Sequence, residues 1–185
     1  INKGYYVYNE CGRKINFMTA SFGQGIAVTP IQLINAYSMV ANGGKLMRPY
    51  VVEKIIKENG EEVVTQPEVM TIPISEKTSA KIQTMLTSVV DRGFDKARIP
   101  GYDIAGKTGT AQVPDFKYGG YTQDVIDTYV GFAPAYDPRF IVLIKFDKPY
   151  GAPHAAETVV PAFRELTQFI LNYYNIPPDN LDRGR

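Results

Sequence analysis

The sequence predicts an α/β fold of the α+β type, with one antiparallel sheet packed against helices. Between Asp103 and Phe146, three consecutive segments of strand composition follow one another, which gives an antiparallel meander. Residues 75–92 and the stretch carrying Val159 to Tyr173 instead space their apolar residues at helical intervals. No internal repeat or low-complexity tract interrupts the 185 residues, so they read as one unit.

The elements follow in order. Thr29-Pro30-Ile31-Gln32 supplies a cap, a proline at the first helical position and a glutamine three residues after the cap, so a helix opens there. Ile31, Leu33, Ile34, Ala36, Tyr37, Val40 and Ala41 leave that helix little polar face, and Gly43-Gly44 ends it. Met47 to Thr65, rich in valine and isoleucine, reads as a surface hairpin turning at Asn59-Gly60. The helix of 75–92 lies between Pro73 and Gly93 and shows Ile82, Met85, Leu86, Val89 and Val90 on one face. Asp103 to Val113 suits an extended edge strand, and Pro114 to Asp127 a polar, aromatic loop. Strands over Thr128–Ala135 and Phe140–Phe146 come next, joined across Tyr136-Asp137-Pro138. Last, Val159, Val160, Phe163, Leu166, Phe169, Ile170 and Tyr173 form a stripe expected to pack on the sheet, on a helix that stops before Pro177-Pro178.

Composition removes several function classes. A formal net charge of +1 and the absence of a basic cluster give no electrostatic case for nucleic acid or an anionic membrane. No apolar run approaches the ~20 residues of a membrane span, and no signal peptide heads the sequence. Cys11 stands alone, so it forms no internal disulfide, and one cysteine with one histidine cannot build a metal cluster. His154 sits in a Gly/Pro loop without a G-x-S-x-G partner and reads as a surface or structural histidine.

The chemistry concentrates in Ile104-Ala105-Gly106-Lys107-Thr108-Gly109-Thr110-Ala111-Gln112-Val113. Gly101 to Thr108 satisfies the phosphate-loop pattern G-x-x-x-x-G-K-[ST], while Lys107-Thr108-Gly109 is the K-T-G triplet of serine acyl-enzymes. A phosphate loop needs a buried strand before it and a helix after it, because the helix N-terminus holds the phosphates. Upstream lies the polar run Asp95 to Pro100; downstream, Gly109 occupies the would-be first turn and Pro114 ends any helix. Nucleotide binding is therefore the weakest reading.

Further blocks accompany K-T-G in a fixed order. Ser21-Phe22-Gly23-Gln24-Gly25 with Val28-Thr29-Pro30-Ile31-Gln32-Leu33 comes first, then Met39 to Gly44 with Arg48-Pro49. After Lys107-Thr108-Gly109-Thr110-Ala111-Gln112 comes Thr128-Tyr129-Val130-Gly131-Phe132-Ala133-Pro134-Ala135 with Pro138-Arg139-Phe140. Together these blocks resemble the transpeptidase domain of class B penicillin-binding proteins, the division, elongation and sporulation group. One departure is large: no serine here gives S-x-x-K, and none gives S-x-N. The chain thus looks like the C-terminal half of such a domain, residues 1–185 carrying one wall of the active site without the nucleophile. Its start at Ile1 fits a piece of a longer protein.

The resemblance implies the penicillin-binding-protein and β-lactamase-like fold, whose sheet has five antiparallel strands, so Phe140–Phe146 would lack a neighbour here. It implies acyl transfer: a serine attacks the penultimate D-alanyl carbonyl of a peptidoglycan stem peptide, and a neighbouring amine resolves the acyl-enzyme. Lys107 would place an ammonium near the substrate carboxylate and the missing second-motif serine. Thr108 and Thr110 would offer hydroxyls to that carboxylate, Gly109 would let substrate backbone pair with the strand, and the Thr110 N–H would be half of an oxyanion hole. No cofactor is implied. The implied partners are the upstream half of the same domain, stem peptides, β-lactams and a glycan polymerase, with a parent anchored on the outer face of the cytoplasmic membrane. A penicillin-recognising sensor or scaffold without turnover is the rival reading.

Overall fold

In the computed structural model, residues 14–180 are described apart from 94, 116, 152 and 153; Cys11 lies outside them. The element order is α1 (Lys14–Ala20), α2 (Pro30–Ala41), β1 (Leu46–Met47), β2 (Lys54–Ile56), β3 (Glu62–Val64), β4 (Val69–Thr71), α3 (Glu76–Gly93), β5 (Ala105–Pro114), β6 (Tyr121–Ala133), β7 (Phe140–Asp147) and α4 (Ala155–Tyr173). The expected α+β architecture is present: β5, β6 and β7 form an antiparallel meander in that spatial order, with helices on both faces.

The capping signal at Thr29 is realised in full. The Gln32 amide donates to the Thr29 hydroxyl oxygen at 3.3 Å, and the Thr29 amide donates to Gln32 Oε1 at 2.9 Å. The α2 carbonyls at the other end find partners on α3. Buried Ser79 donates to the Val40 carbonyl at 2.6 Å and Gln83 Nε2 to the same oxygen at 2.9 Å, which satisfies a helix terminus that water cannot reach. Gly44 follows in a left-handed conformation (φ 91°), where an added Cβ would overlap the Ile74 carbonyl.

Two clusters sandwich the meander. On one face Ala105, Phe132 and Ala135 pack with Val40 of α2 and with Ile82 and Leu86 of α3. On the other, Tyr129 and Val142 pack with Val159, Val160 and Phe163 of α4, the Tyr129 and Phe163 rings lying 4.3 Å apart. Gly131 makes that approach possible, because a Cβ there would sit 2.7 Å from the Phe163 ring.

Four sequence expectations change. The segment assigned to a loop up to Asp127 becomes strand at Tyr121, because the β5 register continues past Gln112 and draws Tyr121–Asp127 into the ladder. The α4 stripe does not hold its whole length: Val159, Phe163, Thr167 and Leu171 form the buried four-residue row, while Leu166, Phe169 and Tyr173 face outward, the last two rings stacked at 5.8 Å. Met85 of α3 is likewise exposed, since Ile82 and Leu86 pack with Ala105 and Phe132 of the sheet, Ser79 meets α2, and Val90 joins the other core cluster. Finally, the hairpin at Asn59-Gly60 forms as β2 and β3, but β1 pairs with β4 rather than joining it. The helix α1 has no cap or clear stripe in its sequence, and nothing there predicts it.

Candidate active-site edge

β5 runs on through Lys107 to Pro114. No helix begins after Lys107, so the phosphate-loop pattern lacks the donor end it needs. Gly106, which completed that pattern, is required by the core: a Cβ there would overlap the hydroxyl and ring of Tyr129, which is fully buried. Gly101, its other glycine, is left-handed (φ 83°), and its carbonyl accepts from the Asn180 amide at 3.0 Å, so the C-terminal segment closes on the turn before β5. Tyr102 and Asp103 strengthen that clasp: the Tyr102 hydroxyl donates to the Ile176 carbonyl at 2.6 Å and the Asp103 amide to Asp179 Oδ1 at 2.9 Å.

Strand alternation determines which way the β5 backbone faces. The Val125 and Ala133 carbonyls of β6 accept from the Lys148 and Arg139 amides, on the β7 side. Register is unbroken between Ile126 and Ala133, so Thr128, Val130 and Phe132 turn their main-chain groups toward β5. Their partners Gly109, Lys107 and Ala105 point back at β6. Gly106, Thr108 and Thr110 therefore turn N–H and C=O off the edge, which has no strand beside it among the described residues. The exposed Lys107 ammonium lies on this edge, donating to the Thr108 carbonyl at 2.9 Å with the Thr108 hydroxyl 3.4 Å away.

The side chains divide by face. Thr110 stands opposite Asp127, on the α4 side. Its hydroxyl donates to Asp127 Oδ1 at 2.9 Å and accepts from the Ala155 amide at 3.3 Å, and the Thr158 hydroxyl donates to Asp127 Oδ2 at 2.8 Å. Lys107 and Gly109 stand on the other face, where a Cβ on Gly109 would lie 2.5 Å from the Thr128 hydroxyl. Gly109 thus relieves an internal crowding as well as leaving the strand flat. His154 is exposed at the α4 N-terminus and makes no side-chain cap.

Asp127 is the residue that sequence reasoning missed. At the end of an expected loop it would be solvated; in strand register it shares the inward face with Tyr129 and Gly131 and is fully buried. A lone carboxylate at period two from buried apolar positions was the available signal.

A family model for the penicillin binding protein transpeptidase domain matches residues 2–168. The chain belongs to that family. Stage V sporulation protein D of Bacillus subtilis is 41% identical over 145 residues, covering 76% of this chain and 22% of the relative. A probable peptidoglycan D,D-transpeptidase, PbpC, of Pseudomonas aeruginosa is 33% identical over 184 residues, covering 97% and 30%. Penicillin binding protein 3 from Mycobacterium tuberculosis, solved in complex with aztreonam, superposes with a TM-score of 0.79 at 28% identity, over 88% of this chain and 39% of that one. The transpeptidase domain of Burkholderia pseudomallei penicillin-binding protein 3 gives 0.73 at 30% identity, over 91% and 49%. These solved relatives carry the fold expected from the class B resemblance. This transpeptidase-family chain spans less than a third of the length of either curated relative. No helix among the described residues is long and apolar enough to cross a membrane.

Proposed function

We propose that this chain is the C-terminal portion of a D,D-transpeptidase domain that cross-links peptidoglycan stem peptides through a serine acyl-enzyme, outside the cytoplasmic membrane. The observation that carries the reading is the open β5 edge, on which the outward N–H groups of Thr108 and Thr110 stand beside the Lys107 ammonium. An extended peptide laid along this edge finds main-chain partners in the manner of an added strand. Its terminal carboxylate meets Lys107 and the Thr108 hydroxyl, both charge-compatible donors. The serine, supplied by the remainder of the domain, attacks the penultimate carbonyl and the terminal D-alanine leaves. The Thr110 N–H faces the oxygen on which negative charge develops. The acyl group then passes to an amine of a neighbouring stem. β-Lactams enter as acylating mimics of the same peptide.

The test uses a labelled penicillin and intact-mass spectrometry. The full-length protein should gain one drug mass on a serine outside these 185 residues, and the isolated 185 residues should gain none. An acylated serine within residues 1–185 would overturn the division of labour proposed here. Micromolar Mg-ATP binding by calorimetry would instead revive the phosphate-loop reading of Gly101–Thr108.

A further inference from the structure

We propose that Asp127 is a positioning residue for the acyl-transfer site, acting through Thr110; the inference rests on the transpeptidase reading of the β5 edge. Asp127 lies one strand in from the open edge and is fully buried. Among the described residues it forms no ion pair; its two oxygens are held by two hydroxyls, Thr110 on β5 and Thr158 in the first turns of α4. A carboxylate kept in a core by neutral donors alone costs more in desolvation than an apolar residue of its size, so stability does not explain it. Its geometry does. Thr110 has one hydroxyl proton and gives it to Asp127, while the Ala155 amide donates to the same oxygen. The side chain is thereby fixed from two directions, by the neighbouring strand and by the N-terminus of α4. The Thr110 N–H, on the same residue, is held pointing off the edge.

This arrangement also revises the role expected of Thr110. Its hydroxyl proton is engaged inward, so the substrate carboxylate takes its hydroxyl donor from Thr108 and its charge from Lys107. Thr110 acts through its backbone. Asp127 touches neither substrate nor nucleophile, and its contribution is the orientation of one amide.

The test is pre-steady-state acylation of the full-length protein by a fluorescent penicillin, with drug affinity and acylation rate constant resolved separately. Asp127→Ala should lower the rate constant at least about tenfold, as expected when a reacting-centre donor is misplaced, and leave affinity within about threefold, since Lys107 and Thr108 are intact. Asp127→Asn, which keeps an acceptor for the Thr110 hydroxyl, should recover most of the loss. In a Thr110→Val background, Asp127→Ala should add almost nothing, because the contact it acts through is already gone. Thr158→Val keeps Asp127 and Thr110 together and serves as a milder probe, with a loss of about threefold in the rate constant alone. A loss from Asp127→Ala that persists undiminished in the Thr110→Val background would overturn the proposal, as would a change confined to affinity. If the unsubstituted protein is not acylated at all, the transpeptidase reading itself falls, a result separable from either of these.

Discussion

The β5–β7 meander and the β2–β3 hairpin both draw on valine and isoleucine for their strands, yet they are in opposite physical situations. Where β6 runs from Asp127 to Ala133 the meander is covered on both faces, and Tyr129 and Phe132, like Phe163 of the covering helix, are wholly removed from water. In the hairpin every residue of both strands is exposed, Ile55, Ile56, Val63 and Val64 included. Composition alone makes a strand; layers on both sides make it rigid. The open β5 edge is carried by the covered sheet, where an amide can be held in one direction.

The sharpest way to break the contrast is a cavity on the α4 face. Phe163→Ala should cost about 3–5 kcal/mol, because the ring fills the space left by Gly131 and packs at a tilt against Tyr129. Urea denaturation measures it, and a cost below about 1 kcal/mol would show that this face tolerates collapse as the hairpin does.

The next largest effect concerns chemistry rather than stability. Lys107→Ala in the full-length protein should slow β-lactam acylation at least tenfold, since a charge-assisted contact to a carboxylate is worth roughly 1.5–3 kcal/mol. The side chain is exposed and, among the described residues, bonded only to its own strand, so the melting temperature should stay near that of the unsubstituted protein. A large loss of stability with unchanged acylation would place Lys107 in the scaffold.

Much of this contrast is legible in the amino-acid sequence, wherever the deciding chemistry is local. The Thr29-Pro30-Ile31-Gln32 signal is of that kind, and it produces the cap it predicts. The Asn59-Gly60 turn is local too: the Gly60 amide donates to the Lys57 carbonyl with Gly60 left-handed. What the sequence hides depends on partners distant along the chain. Tyr121 to Asp127 is polar because one of its sides is exposed, and only pairing with β5 makes it strand. The exposed faces of Phe169 and Tyr173 have the same cause: two apolar rows on α4 compete for the sheet, and packing with Val159 and Phe163 decides between them. For the site, Lys107, Thr108, Gly109 and Thr110 are visible as a motif. The inward turn of the Thr110 hydroxyl needs Asp127 and Thr158, 17 and 48 positions away, and so needs the fold that gathers them.

Tyr129 offers a smaller test within the covered region. Its hydroxyl is buried without a hydrogen-bond partner among the described residues, and burial raises its pKa well above the usual value near 10. The folded protein therefore keeps this proton while the unfolded chain releases it, so stability is intact below pH 10 and declines as pH rises beyond it. Tyr129→Phe removes a polar group left unsatisfied and should stabilise by about 1 kcal/mol at neutral pH. It should also reduce the alkaline decline. Thermal melts at neutral pH and at about pH 11 report both, and a destabilised phenylalanine variant would mean that the hydroxyl has a partner in the whole protein.

The smallest expected effect belongs to the hairpin. Ile55 stands opposite Val63, and both are exposed, so replacing Ile55 by serine returns little apolar area to water. The remaining loss is one cross-strand contact, worth about 0.2–1 kcal/mol. The Lys54–Glu62 and Lys57–Glu61 pairs still brace the strands, though exposed pairs contribute little. Ile55→Ser should therefore change the unfolding free energy of the full-length protein by less than about 1 kcal/mol and leave acylation unaltered. A penalty of about 2 kcal/mol or more would show that the hairpin is covered in the intact molecule, and the opposition between a sheet buried on both faces and a bare flap would no longer hold.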